Sequence, residues 1–184
     1  MLCSRCRSEA VIVQPYSGLA LCMRHLTADV EAKAKKEIRR QGGLSSKERI
    51  FVDGEDDFRT FALRIFLSAL FVKRTDIQFT PREADATVIF SIQTLDDVSS
   101  ALLRAVLSGT TVSYLERDAV RRISPLSVIP ASEVFLYAEA HGWPGARPAP
   151  AVSTADAFLD AFVREHPGTR YALKNIADYL EDVS

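Results

Sequence analysis

No cysteine follows residue 22 in this chain of 184 residues. Beyond that point no thiol exists for covalent catalysis or cluster binding. Long hydrophobic runs are also missing. The longest, Phe61 to Val72, is broken by Arg64 and is too short to cross a bilayer, so no membrane association is expected. Overall charge is nearly absent, with a formal net value of −1. No internal repeat is visible. A hydrophobic fraction of 47% with 26% charged residues matches a soluble globular protein, and the length suits one ordinary domain plus a small appendage.

What is present is concentrated at the start. The only three cysteines join one histidine in the pattern Cys3-x2-Cys6-x15-Cys22-x2-His25. Each close pair can be carried on one tight turn, and the loop between them brings the pairs together, as a tetrahedral zinc site requires. Four protein ligands close the site to water, which makes the expected zinc structural. The pattern starts at the N-terminus, so a signal peptide is not expected there. Thiols at metal spacing, with none left over, point to a reducing compartment, the cytoplasm.

Charge is unevenly placed. Residues 1 to 41 carry Arg5, Arg7, Arg24, Lys33, Lys35, Lys36, Arg39 and Arg40 against four acids. The segment Asp53-Gly-Glu55-Asp56-Asp57 that follows is acidic. A basic module beside a metal site can meet nucleic-acid phosphates, with Arg24, Lys35, Lys36, Arg39 and Arg40 as candidate contacts. The competing reading is a solvated helix face.

Leu26, Val30, Ala34 and Ile38 recur every four residues, the apolar stripe of a helix ended by Gly42-Gly43. Arg49 to Val52 reads as a short buried strand, Phe58 to Val72 as a helix, and Ile77 to Phe79 as one further strand in a polar connection. Ala86 to Ile92 is a β-branched apolar run suited to a parallel strand covered on both faces. A helix over Leu95 to Leu107 stops at Gly109, and Thr111 to Tyr114 can be extended. A further helix begins near Pro130 and closes at Gly142. Trp143 to Pro150 reads as a loop, and helices follow over Ser153 to Glu165 and Thr169 to Val183, broken by His166-Pro-Gly168. The alternation predicts an α/β domain with a parallel sheet. It divides the chain into a metal module with its basic helix (1–43) and an α/β domain with C-terminal helices (44–184).

These residues resemble a family. Cys-x2-Cys, then Tyr16-Ser-Gly-Leu-Ala-Leu-Cys22-x2-His25 and a basic helix, is similar to the zinc module that opens the tRNA 2-thiouridine synthetases, PP-loop ATP-pyrophosphatases that replace a uridine oxygen with sulfur. Thr94-Leu-Asp-Asp97 resembles the family's His-Asn-Leu-Asp-Asp segment. Ile123 to Ala138 resembles its Pro-Leu…Ile-Pro…Glu…Tyr-Ala segment, and His166-Pro-Gly-Thr169 a later signature. The resemblance implies a HUP/PP-loop-like fold, with a shortened parallel sheet flanked by helices behind the zinc module.

The chain departs from that family where the chemistry lies. The family holds ATP on a Ser-Gly-Gly-x-Asp-Ser loop between its first strand and helix. With Arg49 to Val52 placed on that strand, Glu55, Asp56, Asp57, Phe58, Arg59 and Thr60 fall on the loop, and both glycines become aspartates. Carboxylates facing phosphate oxygens repel them, so ATP is not an expected ligand. Only about a dozen residues, Lys73 to Asp85, replace the family's two middle strands and their cysteine. The cysteine of the Glu-Cys-Pro-Tyr turn gives way to Gly145-Ala-Arg-Pro-Ala-Pro150, and the family's C-terminal zinc finger has no counterpart.

Asp96 and Asp97 are the retained family acids. They can position magnesium or uridine, or serve as acids in a helix's first turn, where the macrodipole favours them. Gln93 and Thr94 stand where the family has histidine and asparagine, which favours the second role. His141 suits a helix C-terminus and His166 a loop. Trp143 suits either the rim of the core or a partner contact. No catalytic residue is assigned. The expected role is a non-catalytic paralogue of a tRNA thiolation enzyme, acting as a tRNA-binding accessory or as the partner of an active thiolase subunit, with a homodimer as a further possibility. The alternatives are an active ATP-dependent sulfurtransferase with altered motifs and a zinc-stabilised protein-interaction domain.

Overall fold

The computed structural model describes residues 1–110, 120–146 and 153–182. The extended segment expected at Thr111–Tyr114 and most of the loop before Ser153 lie outside the described residues. Among the described residues, no helix is long and apolar enough to cross a membrane.

The chain opens with a small antiparallel hairpin, β1 (Ile12–Val13) and β2 (Ala20–Leu21), in the register Ile12↔Leu21 and Val13↔Ala20. Helix α1 (Met23–Arg40) starts directly after Cys22. Its stripe Leu26, Val30, Ala34 and Ile38 is buried, as the four-residue spacing predicts. Past Gln41, Gly42 and Gly43 take positive φ values of 92° and 64°, and the Gly43 amide bonds the Ile38 carbonyl at 2.8 Å. Such a left-handed exit closes the helix at little steric cost because glycine has no Cβ.

Next come β3 (Arg49–Asp53), α2 (Phe58–Phe71), β4 (Gln78–Phe79), a 3₁₀ turn at Glu83–Asp85 and β5 (Val88–Ser91). They lead to α3 (Leu95–Ser108), β6 (Arg121–Ile123), α4 (Ala131–Ala140), α5 (Thr154–Glu165) and α6 (Thr169–Asp182). The four later strands form one all-parallel sheet in the order β4-β3-β5-β6. Pairing of Ile50 with Val88, Val52 with Phe90 and Phe90 with Ile123 puts these apolar side chains on one face. There they join Leu63, Phe66 and Leu67 of α2, Val134 and Phe135 of α4, and the α1 stripe in the main core. A smaller cluster holds Val98 and Leu102 of α3 against Ala177 of α6.

β6 was not anticipated from its residues. Arg121 and Arg122 mask it, and only Ile123 carries an apolar signal; an edge strand tolerates such charge. Arg122 bonds Asp53 of β3 at 2.7 Å and Glu83 at 3.3 Å. Trp143 packs at the rim of the core, its ring 5.4 Å from Phe61. His141 and His166 cap the C-termini of α4 and α5.

Candidate metal centre and the helix termini around it

Cys3 and Cys6 flank a tight turn closed by the Arg7 amide on the Cys3 carbonyl at 3.0 Å, with Arg7 itself at φ 62°. β2 delivers Cys22 to the head of α1, and the first helical turn places His25 beside it. The four side chains converge. Nδ1 of His25 lies 3.4 Å from the sulfurs of both Cys3 and Cys22, and Cys6 Sγ lies 3.6 Å from Cys22 Sγ. All four potential ligand atoms fall within 4.8 Å of one another. Sulfurs at about 2.3 Å from one tetrahedral ion are separated by roughly 3.7 Å, so the set fits a single metal ion with His25 bound through Nδ1.

The surroundings favour thiolate at Cys3 and Cys6 but not at Cys22. Burial pushes the Cys3 thiol up, but amide donors from Cys22, Arg5 and Cys6, together with His25, hold it down to about 5. Cys6 is lowered chiefly by the Ser8 hydroxyl and amide. At Cys22 the His25 amide favours the thiolate, yet burial and the neighbouring sulfurs outweigh it and raise this thiol. An ion of charge +2 among these sulfurs would reverse that last effect.

The solvent side of α1 carries exposed Arg24, Ala28, Ala32, Lys36 and Arg39. The five basic candidates divide into two groups. Lys35 pairs with Glu31 at 2.9 Å, and Arg40 with Glu37 at 2.7 Å and Asp178 at 3.2 Å. Arg24, Lys36 and Arg39 form no ion pair among the described residues.

At the C-terminal end of the sheet, the segment Glu55 to Thr60 turns from β3 into α2. Asp57 is the N-cap of α2, and its carboxylate accepts from the amides of Arg59 (2.9 Å) and Thr60 (3.0 Å). A helix N-terminus offers such amides to an anion, and here the chain supplies the anion itself. The Arg59 guanidinium bonds Asp57 at 2.7 Å and reaches Asp97 at 3.2 Å. Burial lowers the Arg59 pKa, but Asp57 and Asp97 outweigh it and the guanidinium is held above its ordinary value. Phe58 is buried in the core, and the Thr60 hydroxyl donates to the Glu55 carbonyl. Gly54 is needed at its position because a Cβ there would stand 2.6 Å from Thr60 Oγ1 and 2.7 Å from Ile92.

Both retained acids cap helices. Asp97 forms a reciprocal capping box with Thr94 at the head of α3. Asp96 accepts from the Ala131 amide at 2.6 Å, capping α4 from outside that helix, and pairs with Arg170 at 3.4 Å.

Sequence reasoning did not find the buried polar seam joining the metal module to the rest of the fold. Glu133 of α4 is 1% exposed and accepts from Gln14 (3.0 Å), Tyr16 (2.5 Å) and Lys33 (3.3 Å). Gln14 also donates to Asp29 at 3.0 Å. Burial, then the Glu133 hydrogen bond and charge, push the Tyr16 hydroxyl far up, so it stays a donor. A second seam sets Lys174 of α6 against Glu37 at 3.4 Å and Asp178 at 2.6 Å. No short-range pattern marks these pairs; the only local hint is a charged residue at a helix position that also carries core contacts.

Residues 2–27 match the family model described as 2-thiouridine synthetase TtuA, N-terminal LIM domain. The fold is similar to that of the U34-tRNA thiolase NcsA from Methanococcus maripaludis, solved with its 4Fe-4S cluster. That match has a TM-score of 0.82 at 15% identity and covers 98% of this chain and 88% of that one. No curated protein matches the sequence. The family match is confined to residues 2–27, and the likeness to the thiolase is one of fold.

Proposed function

We propose that this chain is a non-catalytic relative of the tRNA thiolation enzymes, acting in the cytoplasm as a tRNA-binding accessory or as the partner of an active thiolase subunit. One observation carries the reading. The amides at the head of α2, where the enzymes of this fold would cradle a phosphate, are occupied by the chain's own Asp57 carboxylate. Arg59, the cation at that loop, is committed to Asp57 and Asp97. Asp96 and Asp97 are engaged in helix caps. No cysteine beyond residue 22 remains to carry sulfur.

The metal we assign to Cys3, Cys6, Cys22 and His25 is zinc in a structural role. Three sulfurs and one nitrogen lie within 4.8 Å of one another, a spacing that suits a single ion. An iron–sulfur cube spreads its ligands more widely and commonly takes four cysteines. Zinc holds the hairpin and the head of α1 together, and the closed ligand set leaves it no water to activate. Phosphate contact falls to Arg24, Lys36 and Arg39, whose face is unpaired among the described residues, with Lys35 and Arg40 as weaker contributors.

The test is a pair of titrations on the zinc-loaded chain, one with ATP and magnesium, the other with unmodified tRNA. Binding of tRNA without ATP supports the accessory role. Saturable ATP binding together with sulfur transfer to tRNA overturns it. Absence of both leaves the protein-interaction reading in its place.

A further inference from the structure

We propose that the N-terminal metal site works as a latch on helix α4, so that metal occupancy governs how firmly the Glu133 end of that helix is held. The connection is short and continuous. Cys6 and Cys22 belong to the ligand set assigned to zinc above, a reading on which the latch rests, and the fifteen residues between them form the hairpin that carries Gln14 and Tyr16 at its tip. The tip is itself well made: the Gln14 amide bonds the Leu19 carbonyl at 2.9 Å, and the Gly18 amide bonds the Gln14 carbonyl at 2.8 Å. The hairpin is anchored to the ligand turn by the Ser4 amide on the Ala20 carbonyl at 2.8 Å. Whatever fixes Cys6 and Cys22 in space therefore fixes Gln14 and Tyr16.

Those two side chains close over a carboxylate that has little else. Glu133 is 1% exposed, and among the described residues Gln14 and Tyr16 supply two of its three side-chain donors. The third, Lys33, is longer at 3.3 Å and is shared with Asp29 at 2.8 Å and with the Tyr16 hydroxyl at 2.5 Å. Losing one end of such a network leaves a buried charge short of partners, which costs far more than losing an exposed pair. Without metal, three sulfurs and an imidazole are crowded together with nothing to bind them, and the loop between the cysteine pairs regains its freedom. Gln14 and Tyr16 then withdraw, and α4 must open at its first turns to rehydrate Glu133. This coupling does not depend on whether the basic face of α1 binds RNA.

Hydrogen exchange on the full chain tests it, comparing zinc-loaded protein, protein stripped by a chelator, and protein reloaded with zinc. Stripping should accelerate exchange at least tenfold in peptides covering residues 131–137, while α2 stays within twofold, and reloading should restore protection. Glu133→Gln replaces the buried charge by a neutral amide, so the stripping effect on α4 should fall below threefold. Tyr16→Phe removes one donor without touching a metal ligand. It should retain one zinc per chain yet loosen α4 part of the way. Acceleration confined to residues 1–27 overturns the latch. So does equal acceleration in α2 and α4, which would make the metal a support of the whole fold, and so does a Glu133→Gln response identical to wild type.

Discussion

Arg59 Nη1 stands 3.2 Å from Asp97 Oδ2, tying the head of α2 to the head of α3 across the C-terminal end of the sheet. In an open parallel sheet this is the place where ligands gather. In this chain the two helix heads hold each other.

ATP is therefore the first prediction. Calorimetric titration of ATP with magnesium should show no binding in the micromolar range. Asp57→Gly removes the α2 cap and should lower stability by about 1 kcal/mol. It should still give no ATP binding, because Glu55 and Asp56 remain and the rest of the loop lacks the glycine cradle. Heat release that saturates in either protein, and disappears on changing Asp97, would contradict the non-catalytic reading.

The second prediction is one zinc per chain. X-ray absorption should give three sulfurs at about 2.3 Å and one nitrogen at about 2.0–2.1 Å. Cys22→Ser should lose the ion while leaving most of the α/β body folded. An iron–sulfur absorption band from the purified protein, or a stoichiometry near zero, would count against the zinc assignment.

For tRNA, Arg24→Gln, Lys36→Gln and Arg39→Gln together should weaken binding. If each residue meets one phosphate, the slope of log K against log salt should become shallower by about 2–3. Lys35→Gln with Arg40→Gln should do less, since those side chains are already paired to carboxylates. An RNA of unrelated sequence should bind almost as well, because phosphate contacts carry little base information. Equal binding by wild type and the triple variant would reduce this face to a solvated surface.

Acid should loosen α6 from α1. Burial pushes Glu37 up, but donors from Arg40 and Gln41 and the Lys174 charge outweigh it and hold the carboxyl below its ordinary 4.5. A depressed folded value means that Glu37 stabilises the fold above pH 4.5 and that this contribution fades as pH falls below it. Glu37→Gln should cost about 1.5–3 kcal/mol at neutral pH, because Lys174 keeps Asp178. Melting curves from pH 7 to pH 3 should converge for the two proteins. Parallel curves would show that Glu37 titrates alike in the folded and unfolded chain.

Much of this was legible because it depends on short-range spacing. Leu26, Val30, Ala34 and Ile38 announce their helix one turn at a time, and Cys3, Cys6, Cys22 and His25 announce the site by two short intervals. Arg49 to Val52 and Ala86 to Ile92 declare themselves through β-branched or aromatic content, and the observed strands fall at Arg49–Asp53 and Val88–Ser91. The rest depends on pairs distant in sequence. Nothing near Glu133 foretells Tyr16, and nothing near Lys174 foretells Glu37. Lys35 and Arg40 lie off the buried stripe by spacing alone, but their engagement by Glu31, Glu37 and Asp178 is a property of neighbours that only folding supplies. Arg121 and Arg122 hid β6 because an edge strand answers to its hydrogen-bonding partner more than to its own side chains.

The Asp57 cap also bears on which sequences this one can become. Its carboxylate seals two amides and fixes Arg59, so a chain drifting toward an open phosphate loop must first surrender both and is less stable at every early step. A glycine at one position yields a frayed helix with no ligand to steady it, and selection for folding removes such intermediates before a second glycine arises. The sealed loop therefore works as a one-way valve among neighbouring sequences. Natural variants should preserve a capping side chain at position 57 far more often than they restore glycine.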